Sequence, residues 1–493
     1  MNDLLPLGIY AWSFIACYLS SLILIGLYAK KHSKENTLTD FYLAGGGLNY
    51  GILFLTLFAT QYSGNTFFGF TGATYRIGYA WILSLHFMTS IVVCYLLFAP
   101  KLFKLAKKYK FITPPDYIKY RYNNKCLTFL VTLIMLIVLC NYLLAQLMAM
   151  GRAMQGISGY ENFYFYGVII LALIIVIYGT LGGLRAVAWT DAIQGIILII
   201  GFSVLIIILF QKFGSLDEAT NILMELDNKN NTRKSLVPDS GTCREWLSYI
   251  LIVGFGLSLY PQAIQRIYAA KSLNILKKSL AIMSFMPLFT IITIVITGIM
   301  AIAYLPNLSG VKTDQVFGMI LREIQIFSMF GYAVSILILS AILAAMMSTA
   351  DSALLSISSM FTKDIYAKFQ NNSNEEKLTR VGKNCSWIVL FLLVVIAIKL
   401  KNNFSLVALM DRKMDLLIQL APAFMLGLHY KEIRPVPVLI GIVIGVFISL
   451  TLAFGDFNFM HKGKFYGFHP GLIGIIPNLI IVLVGSYKNK IFS

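Results

Sequence analysis

Residues 57–66 read LFATQYSGNT, a polar stretch in the middle of an otherwise apolar run that extends from residue 49 to residue 75. Gly69 and Gly72 follow it, and glycine weakens a helix interior. Such a stretch is costly against lipid but suits a helix that unwinds beside a polar cavity. Small polar residues also allow helices to pack closely, which is the alternative explanation. We expect an interrupted membrane-spanning helix here.

The composition of the whole chain indicates a membrane protein. Of its 493 residues, 58% are hydrophobic and 13% are charged, whereas soluble proteins have roughly 45–50% apolar and about 25% charged residues. Apolar runs of about 20 residues recur, and backbone groups in lipid must be paired within each run. The net charge of +18 comes from basic residues in short loops, where they act as topology signals and contact lipid headgroups rather than nucleic acid.

The apolar runs predict an all-α integral membrane protein with about 13 transmembrane helices. We expect one transporter domain over residues 1–493, with an extra first span at 7–29, a core at 49–428 and two C-terminal spans within 433–486. The predicted spans are 7–29, 49–75, 78–100, 126–150, 162–181, 188–211, 246–268, 279–305, 326–361, 385–401, 404–428, 433–454 and 470–486.

The distribution of Lys and Arg predicts the orientation. Basic residues collect after the odd-numbered spans, at 30–34, 101–125, 266–278, 363–383 and 431–434. The loop at 212–245 on the opposite side carries about five basic residues. Because this loop is long and also contains acidic residues, it counts less in the positive-inside rule. We therefore expect the N-terminus outside and the C-terminus in the cytoplasm, in a plasma membrane (the inner membrane of a bacterium).

A second interruption lies in the span 246–268, which contains Gly254, Gly256 and Ser258 followed by Tyr260, Pro261 and Gln262. Proline removes a backbone donor and breaks a helix. The two interrupted spans are five apart, at the first position of two five-helix blocks. Inverted-repeat transporters need this spacing, because their broken helices bind ions and substrate near the middle of the membrane.

Hydroxyl and carboxylate side chains mark the span 326–361. Ser348, Asp351 and Ser352 share one helical face, and oxygen ligands suit a monovalent cation such as Na⁺. The alternative is that the hydroxyls donate hydrogen bonds to the backbone of their own helix. Asp351 is an ionisable residue within a span, which predicts function unless it lies near a hydrated interface.

Asp191 follows the residues GGLRAVAWT at 182–190 and precedes Gln194. It is expected either to cap the helix that begins there or to face the bundle interior as a cation ligand. Enzyme chemistry is not predicted, since the sequence contains no HExxH motif, no paired CxxC and no Walker loop.

Several motifs together resemble the sodium/solute symporter family, which includes proline, pantothenate, sugar, sialic acid and monocarboxylate carriers. The most specific motif is YGTLGGLRAVAWTDAIQ at 178–194, and the resemblance covers nearly the whole chain. Supporting motifs are FYLAGG at 41–46, QR at 265–266 with AAK at 269–271, and AAMMST at 344–349 with SS at 358–359 and DIY at 364–366.

The resemblance implies a LeuT-like core of five plus five helices, formed by the second to eleventh spans. It also implies a Na⁺ site made by backbone carbonyls of the first broken helix and hydroxyls of the eighth core helix. The matching residues are Ala59, Tyr62, Ala345, Ser348 and Thr349. Some members hold a second Na⁺, for which the matching residues here are Asp191, Ser348, Asp351 and Ser352.

One position departs from the proline carriers, which have an aspartate where this chain has Gln61. Glutamine hydrogen-bonds a solute without bringing a fixed negative charge, and the surrounding segment looks closer to pantothenate or monocarboxylate carriers. The resemblance therefore implies Na⁺-coupled symport of a small organic solute into the cell by alternating access, the solute being a carboxylate such as pantothenate, a monocarboxylate or an amino acid. The expected solute-binding residues are Gln61, Ser63, Asn65, Tyr260 and Gln262.

The sequence leaves open two alternatives to Na⁺-coupled symport. In the first, the same fold is coupled to protons, with Asp191 or Asp351 taking up the proton. In the second, the protein is a receptor or channel that binds a solute without moving it uphill.

Overall fold

The computed structural model describes residues 8–32, 37–158, 160–369, 374–401, 406–455, 457, 459–461 and 463–491. Parts of some predicted segments lie outside the described residues. These are residue 7 of the first span, 33–34 and 370–373 of the basic loops, 404–405 of the eleventh span, and the last two residues of the chain.

The described chain is almost entirely helical. Its α-helices are α1 (Ile9–Lys31), α2 (Leu38–Leu43), α3 (Tyr50–Gln61), α4 (Gly64–Ile77), α5 (Leu83–Tyr109), α6 (Pro114–Tyr122), α7 (Lys125–Ser158), α8 (Phe163–Phe213), α9 (Leu216–Asn230), α10 (Ser240–Ile252), α11 (Pro261–Ala269), α12 (Leu273–Met283), α13 (Met286–Tyr304), α14 (Val316–Phe327), α15 (Met329–Met360), α16 (Glu375–Lys399), α17 (Leu406–Leu417), α18 (Gly427–His429), α19 (Pro435–Phe454) and α20 (Pro470–Ile491).

Short segments of other geometry connect these helices. The 3₁₀ turns are Ala44–Gly46, Gly78–Ile82, Gly310–Gln315, Tyr366–Phe369 and Ile418–Leu420, and the π-helical turns are Val253–Leu257, Phe361–Ile365 and Pro422–Leu426. Two short strands, β1 (Met460–His461) and β2 (Lys464–Phe465), pair antiparallel.

The prediction of an all-α membrane protein is confirmed. In the described part of the chain, nine helices are long and apolar enough to cross a membrane, and ten if the bent pair Ser240–Leu257 and Pro261–Ala269 is one span. Each predicted span overlaps a helix or a broken pair of helices. The number of thirteen crossings stays a prediction.

One helix contains two of the predicted spans. The 51-residue α8 has a non-helical backbone at Gly183 (φ 55°, ψ −145°), which divides it into arms of about 20 and about 30 residues, each long enough to span. A Cβ at Gly183 would lie 2.2 Å from the Phe41 carbonyl oxygen. Glycine is therefore required at this bend by both its positive φ and its close neighbour.

The centre of the bundle is formed by α8 and α15, which pack on each other, and α7 packs on both. Every residue of α15 from Ile338 to Met360 is buried, so this helix has no lipid-facing side along most of its length. By contrast, α16 exposes apolar side chains such as Phe391 (68%) and Ile388 (60%). Polar groups on α15 therefore face other helices rather than lipid.

Candidate functional site

The first predicted interruption is present between α3 and α4. Tyr62 and Ser63 have extended backbones (φ −101°, ψ 142° and φ −138°, ψ 176°). The Ser63 amide donates to Thr66 Oγ1 at 3.2 Å, which satisfies a backbone donor at the start of α4. Carbonyls in the last turn of α3 lose their helical partners at such a break, so they become available to a ligand.

Three oxygens converge where this break meets α15. Thr349 Oγ1 lies 3.3 Å from the Tyr62 carbonyl oxygen and 2.9 Å from the Ala345 carbonyl oxygen. Thr349, Tyr62 and Ala345 are all fully buried, as is Ala59 in the last turn of α3. Three of the five residues predicted for the Na⁺ site are thus in direct contact, and we call them the oxygen triad. The hydroxyl of Ser348, the fourth, lies 2.5 Å from Asp191 Oδ1 instead.

A buried ion pair lies beside the oxygen triad. Arg266 Nη2 is 2.8 Å from Asp191 Oδ2, and the two side chains are 1% and 0% exposed. Arg266 also donates to Thr56 Oγ1 at 2.8 Å, to the Gln262 carbonyl at 3.0 Å and to Ser352 Oγ at 2.5 Å. Thr56 in turn donates to Asp191. The guanidinium therefore joins α11 to α3, α8 and α15.

A second carboxylate completes this group. Asp351 accepts hydrogen bonds from Tyr178 Oη and, at 3.0 Å, from Ser352 Oγ, and it is 2% exposed. Asp351 is therefore buried rather than hydrated at an interface, and Asp191 faces the interior from within α8 rather than capping a helix. The residues predicted for a second Na⁺ all belong to one cluster, which we call the carboxylate cluster: Asp191, Arg266, Ser348, Asp351 and Ser352.

Sequence reasoning missed the position of Arg266 in this cluster. The sequence places it in a family motif and in the basic stretch 266–278, but it is buried in the structure. An ionisable residue in a predicted span is itself a functional signal. Its pairing with Asp191 depends on how α11 packs on α8, and the local sequence pattern does not predict this packing. The carboxylate cluster thus holds one guanidinium and two carboxyl groups.

The second interruption is present between α10 and α11. The chain forms a π-helical turn at Val253–Leu257 and then bends by 53° before α11. Pro261 is the first residue of α11, where its missing N–H costs nothing. Within the described residues, the Tyr260 hydroxyl and Gln262 Oε1 are buried without a hydrogen-bond partner. The break therefore presents unsatisfied polar atoms.

A cavity of about 490 Å³ lies between the two breaks, in the size range of small-molecule sites. Its walls are mostly aromatic and aliphatic. All five residues predicted to bind the solute line it: Gln61, Ser63, Asn65, Tyr260 and Gln262. Gln61 also donates to the Met88 carbonyl at 3.3 Å, which fixes its amide at the cavity wall.

Lys413 in α17 also lines this cavity and was not singled out from the sequence. Its side chain is 2% exposed, and its Nζ lies 3.6 Å from the centroid of the Tyr142 ring and 5.6 Å from that of the Tyr260 ring. The rule that ionisable residues within spans are functional would have found it in the span 404–428.

The described residues that line the cavity lead from its interior to one face of the bundle. The cavity extends to Arg76 and Ile77 at the exposed end of α4. On the opposite side, Leu48 just before α3 is tied to the end of α11, since its N–H donates to the Ala269 carbonyl at 3.1 Å and its carbonyl accepts from Lys271 N at 3.0 Å. Among the described residues, none before Leu57 in α3 lines the cavity.

Side-chain contacts reinforce the closed side. Gln265 Nε2 donates to Ser359 Oγ, and Ser356 Oγ donates to Gln265 Oε1, both at 2.6 Å. Asp116 and Lys363 form an ion pair between α6 and the π-helical turn that follows α15. The structure therefore has a solute-sized cavity open on one side and sealed on the other.

Solved structures of transporters share this architecture. A Na⁺-coupled sialic acid symporter in a substrate-bound outward-open state has a TM-score of 0.80 at 20% identity, covering 97% of this chain and 98% of its own. MhsT in complex with L-phenylalanine has a TM-score of 0.54 at 15% identity, covering 88% and 97%. The fold is that of the LeuT-like secondary transporters, as the resemblance to the sodium/solute symporter family implied.

The family follows from the sequence comparison. Residues 41–445 match the model of the sodium:solute symporter family, and the chain belongs to this family. The sodium/pantothenate symporter of Haemophilus influenzae is 27% identical over 92% of this chain and 91% of its own length. The osmoregulated proline transporter OpuE of Bacillus subtilis is 27% identical over 99% and 96%.

This membership confirms the predicted class of function. The protein is a multi-pass membrane transporter that couples Na⁺ to the symport of a small solute, and it is not an enzyme. Among the described residues, no group of three His, Cys, Asp or Glu side chains could hold a metal ion.

Proposed function

We propose that this protein carries a small organic carboxylate and Na⁺ together into the cell, with Na⁺ between the α3–α4 break and α15 and the solute in the adjacent cavity. One observation carries the proposal. The Tyr62 carbonyl contacts Thr349 of α15, while the next residue, Ser63, lines the cavity. The ion site and the solute site therefore share one break in one helix.

This shared break explains how the two ligands would be coupled. An ion bound by Ala59, Tyr62, Ala345, Ser348 and Thr349 would fix the backbone of the break against α15. Ser63 would then be held in position for the solute, so that each ligand favours the form that binds the other. Such coupling is reciprocal by thermodynamic necessity.

A second Na⁺ in the carboxylate cluster is supported by its charges. Asp191 and Asp351 bring two negative charges when ionised, and Arg266 supplies one positive charge. An unbalanced charge in a buried site is expensive, so one further cation is favoured there. Ser348 connects the two sites, because it is the predicted ligand of one and donates to Asp191 of the other.

The orientation that we propose follows from the open side of the cavity. This side carries the 212–245 loop, and the opposite side carries the basic stretches around 101–125 and 363–383. Basic loops stay in the cytoplasm, so the cavity faces outward and the sealed side inward, with the N-terminus outside and the C-terminus in the cytoplasm. The moving core would comprise residues 49–428 of a single domain in the plasma membrane, the inner membrane in a bacterium.

The expected solute is a small carboxylate such as pantothenate, a monocarboxylate or an amino acid. The family relatives that transport pantothenate and proline support this range. At −100 mV, each net positive charge that enters contributes about 2.3 kcal/mol, which corresponds to roughly 50-fold accumulation before the Na⁺ gradient is added.

Proton coupling on the same fold is the second candidate, because a proton on Asp191 or Asp351 would also balance the charges of the carboxylate cluster. The stability of the purified protein in detergent separates the two, measured by thermal unfolding in NaCl, KCl and choline chloride. A ligand of the native state adds about 2.7 kcal/mol at 100 times its Kd. We expect saturable stabilisation by Na⁺ alone. Equal unfolding temperatures in all three salts, with a pH dependence that Asp191→Asn or Asp351→Asn removes, would instead establish proton coupling.

A further inference from the structure

The sealed side of the bundle carries an open pocket of about 390 Å³ that shares no lining residue with the solute cavity. It lies between the end of α5, the short helix α6 and the π-helical turn that follows α15. One lysine from each of these three elements lines it, namely Lys110, Lys119 and Lys363. We call it the lysine pocket. The ion pair between Asp116 and Lys363 forms part of its wall.

The charges of the lysine pocket do not cancel. Asp116 is the one carboxylate among the described residues that line it. This carboxylate is already engaged, since its Oδ2 atom pairs with Lys363 and accepts from two backbone N–H groups just before α6, at 2.7 and 2.9 Å. Lys110 and Lys119 are exposed and form no ion pair within the described part of the chain. Two ammonium groups are therefore available to an anion.

The pocket lies close to the level at which the bundle meets the lipid headgroups. Asn123 lines it and precedes the first residue of α7 by two positions. On α7, exposed apolar side chains begin at Phe129 and continue at Leu133 and Ile137, as expected of a surface in contact with hydrocarbon. Phe129 is four residues beyond the start of α7, or about 6 Å of helix rise. The headgroup layer is roughly 5–8 Å thick on each side of a bilayer, so the pocket adjoins this layer.

Two tyrosines distinguish the lysine pocket from a patch of exposed lysines. The rings of Tyr109 and Tyr120 line it with their centroids 4.1 Å apart, and the two residues are 41% and 43% exposed. Tyrosine is enriched at membrane interfaces, because its ring is apolar and its hydroxyl is polar. The glycerol and upper acyl segments of a lipid can pack against such rings, whereas a small soluble anion cannot. The combination of lysines and tyrosines therefore fits a phospholipid better than a free anion.

Basic side chains clustered beside transmembrane helices attract anionic lipid headgroups, and a contact between an ammonium group and a phosphate is a charge-assisted hydrogen bond. We propose that the lysine pocket binds an anionic phospholipid, whose phosphate lies between Lys110 and Lys119 and whose glycerol region packs on Tyr109 and Tyr120. Lys363 adds to the positive potential of the pocket. This inference goes beyond the proposed function, since it depends neither on the solute nor on the coupling ion.

Binding of defined lipids to the delipidated, full-length protein tests the inference. Native mass spectrometry from detergent measures the dissociation constants of two lipids with the same acyl chains. Dioleoylphosphatidylglycerol is anionic, whereas dioleoylphosphatidylcholine carries a phosphate but no net charge. We expect the wild type to bind the anionic lipid at least tenfold more tightly. Inorganic phosphate in large excess should not displace this lipid.

Two charge-matched variants locate the site. Lys110→Gln/Lys119→Gln should lose the preference for the anionic lipid and bind the two lipids with affinities within about twofold of each other. The control, Lys104→Gln/Lys431→Gln, removes two exposed lysines that do not line the pocket, and it should bind both lipids as the wild type does. Thermal unfolding without added lipid reports the folding of each variant. Lys119→Glu serves as a second pocket variant if the double variant does not fold.

Three results would overturn the inference. They are equal binding of the two lipids by the wild type, unchanged binding of the anionic lipid by the pocket variants, and an equal loss of binding in the control. The last result would show that the lipid is attracted by the general positive charge of the protein. Displacement of the anionic lipid by inorganic phosphate would also overturn it, because the pocket would then bind a soluble phosphate compound.

Discussion

The guanidinium of Arg266 lies 2.8 Å from the carboxylate of Asp191, and neither side chain is more than 1% exposed. The pair connects a broken helix, α11, to the central helix α8. It also borders the hydroxyls of Ser348 and Ser352. Breaking this charge pair should lower the stability of the protein, and its charges also affect the binding of any cation nearby.

Breaking this pair should destabilise the protein strongly. Arg266→Met leaves Asp191 buried without its partner and is expected to lower the free energy of unfolding by about 3–5 kcal/mol. The double variant Arg266→Met/Asp191→Asn should recover much of the loss, because neither charge remains. Thermal unfolding in detergent measures both.

The matched control is Arg380→Met, which removes a guanidinium from an exposed pair with Glu376 (3.8 Å, 76% and 57% exposed). Such pairs contribute about 0–1 kcal/mol. If Arg266→Met destabilises the protein no more than Arg380→Met does, the buried pair has no role in holding α11 against α8.

Neutralising Asp351 should remove one bound Na⁺. In Asp351→Asn, the single charge of Arg266 balances that of Asp191, so the carboxylate cluster no longer favours a second cation. Above saturation each bound ion adds about 1.4 kcal/mol of stability per tenfold rise in Na⁺ concentration. We expect a slope of about 2.7 kcal/mol per decade for the wild type and about 1.4 for Asp351→Asn.

Asp40→Asn is the control, because it removes a carboxylate that pairs with Arg185 on α8 outside the carboxylate cluster. Its slope should equal that of the wild type. A slope for Asp351→Asn that matches the wild type would show that Asp351 holds no ion.

Asp227 orders the loop after α9, at the open end of the cavity. Burial disfavours its charged form, but hydrogen bonds from Thr232, Lys234 and Ser235 outweigh this and hold the pKa of Asp227 below its usual value. The Lys234 carbonyl in turn accepts from Tyr79 N at 2.9 Å. Asp227→Asn should therefore lower stability by roughly 1–3 kcal/mol at pH 7.

The sign of the pKa shift gives the pH dependence of this loss. A lowered pKa in the folded state contributes stability above the unfolded value of about 3.9, and this contribution disappears as the pH falls through the folded pKa. The difference in stability between wild type and Asp227→Asn should thus stay constant from about pH 5 to pH 8. A difference that vanishes already near pH 6 would contradict the hydrogen-bonded carboxylate.

Local chemistry was sufficient to predict the two breaks. Two local features each predict a break in a helix: the polar run around Gln61 and Ser63, and the proline at 261. In the structure, α3 ends at Gln61 and α11 begins at Pro261. Their separation by five spans predicted an inverted-repeat transporter, and the resemblance to the sodium/solute symporter family implied the LeuT-like core.

Contacts between distant helices were harder to predict. The resemblance implied that Ser348 and Asp191 belong to one site, but the sequence pattern alone does not give the hydrogen bond between them, 157 residues apart. Arg266 and Lys413 both lie in predicted spans, yet their partners are decided by how α11 and α17 pack on other helices. The predicted spans 162–181 and 188–211 form one hydrogen-bonded helix bent at Gly183, because a single glycine replaces the expected loop.

The most direct test of the ion site is equilibrium binding of ²²Na⁺ to the purified protein, comparing wild type with Thr349→Ala and Ser340→Ala. Both residues are buried hydroxyls on α15. Ser340 donates to the Ile336 carbonyl of its own helix at 2.9 Å, whereas Thr349 contacts the carbonyl of Tyr62 on another helix. We predict saturable binding that K⁺ does not displace, weakened at least tenfold in Thr349→Ala and unchanged in Ser340→Ala. Equal binding by Thr349→Ala and wild type would contradict a Na⁺ site between the α3–α4 break and α15.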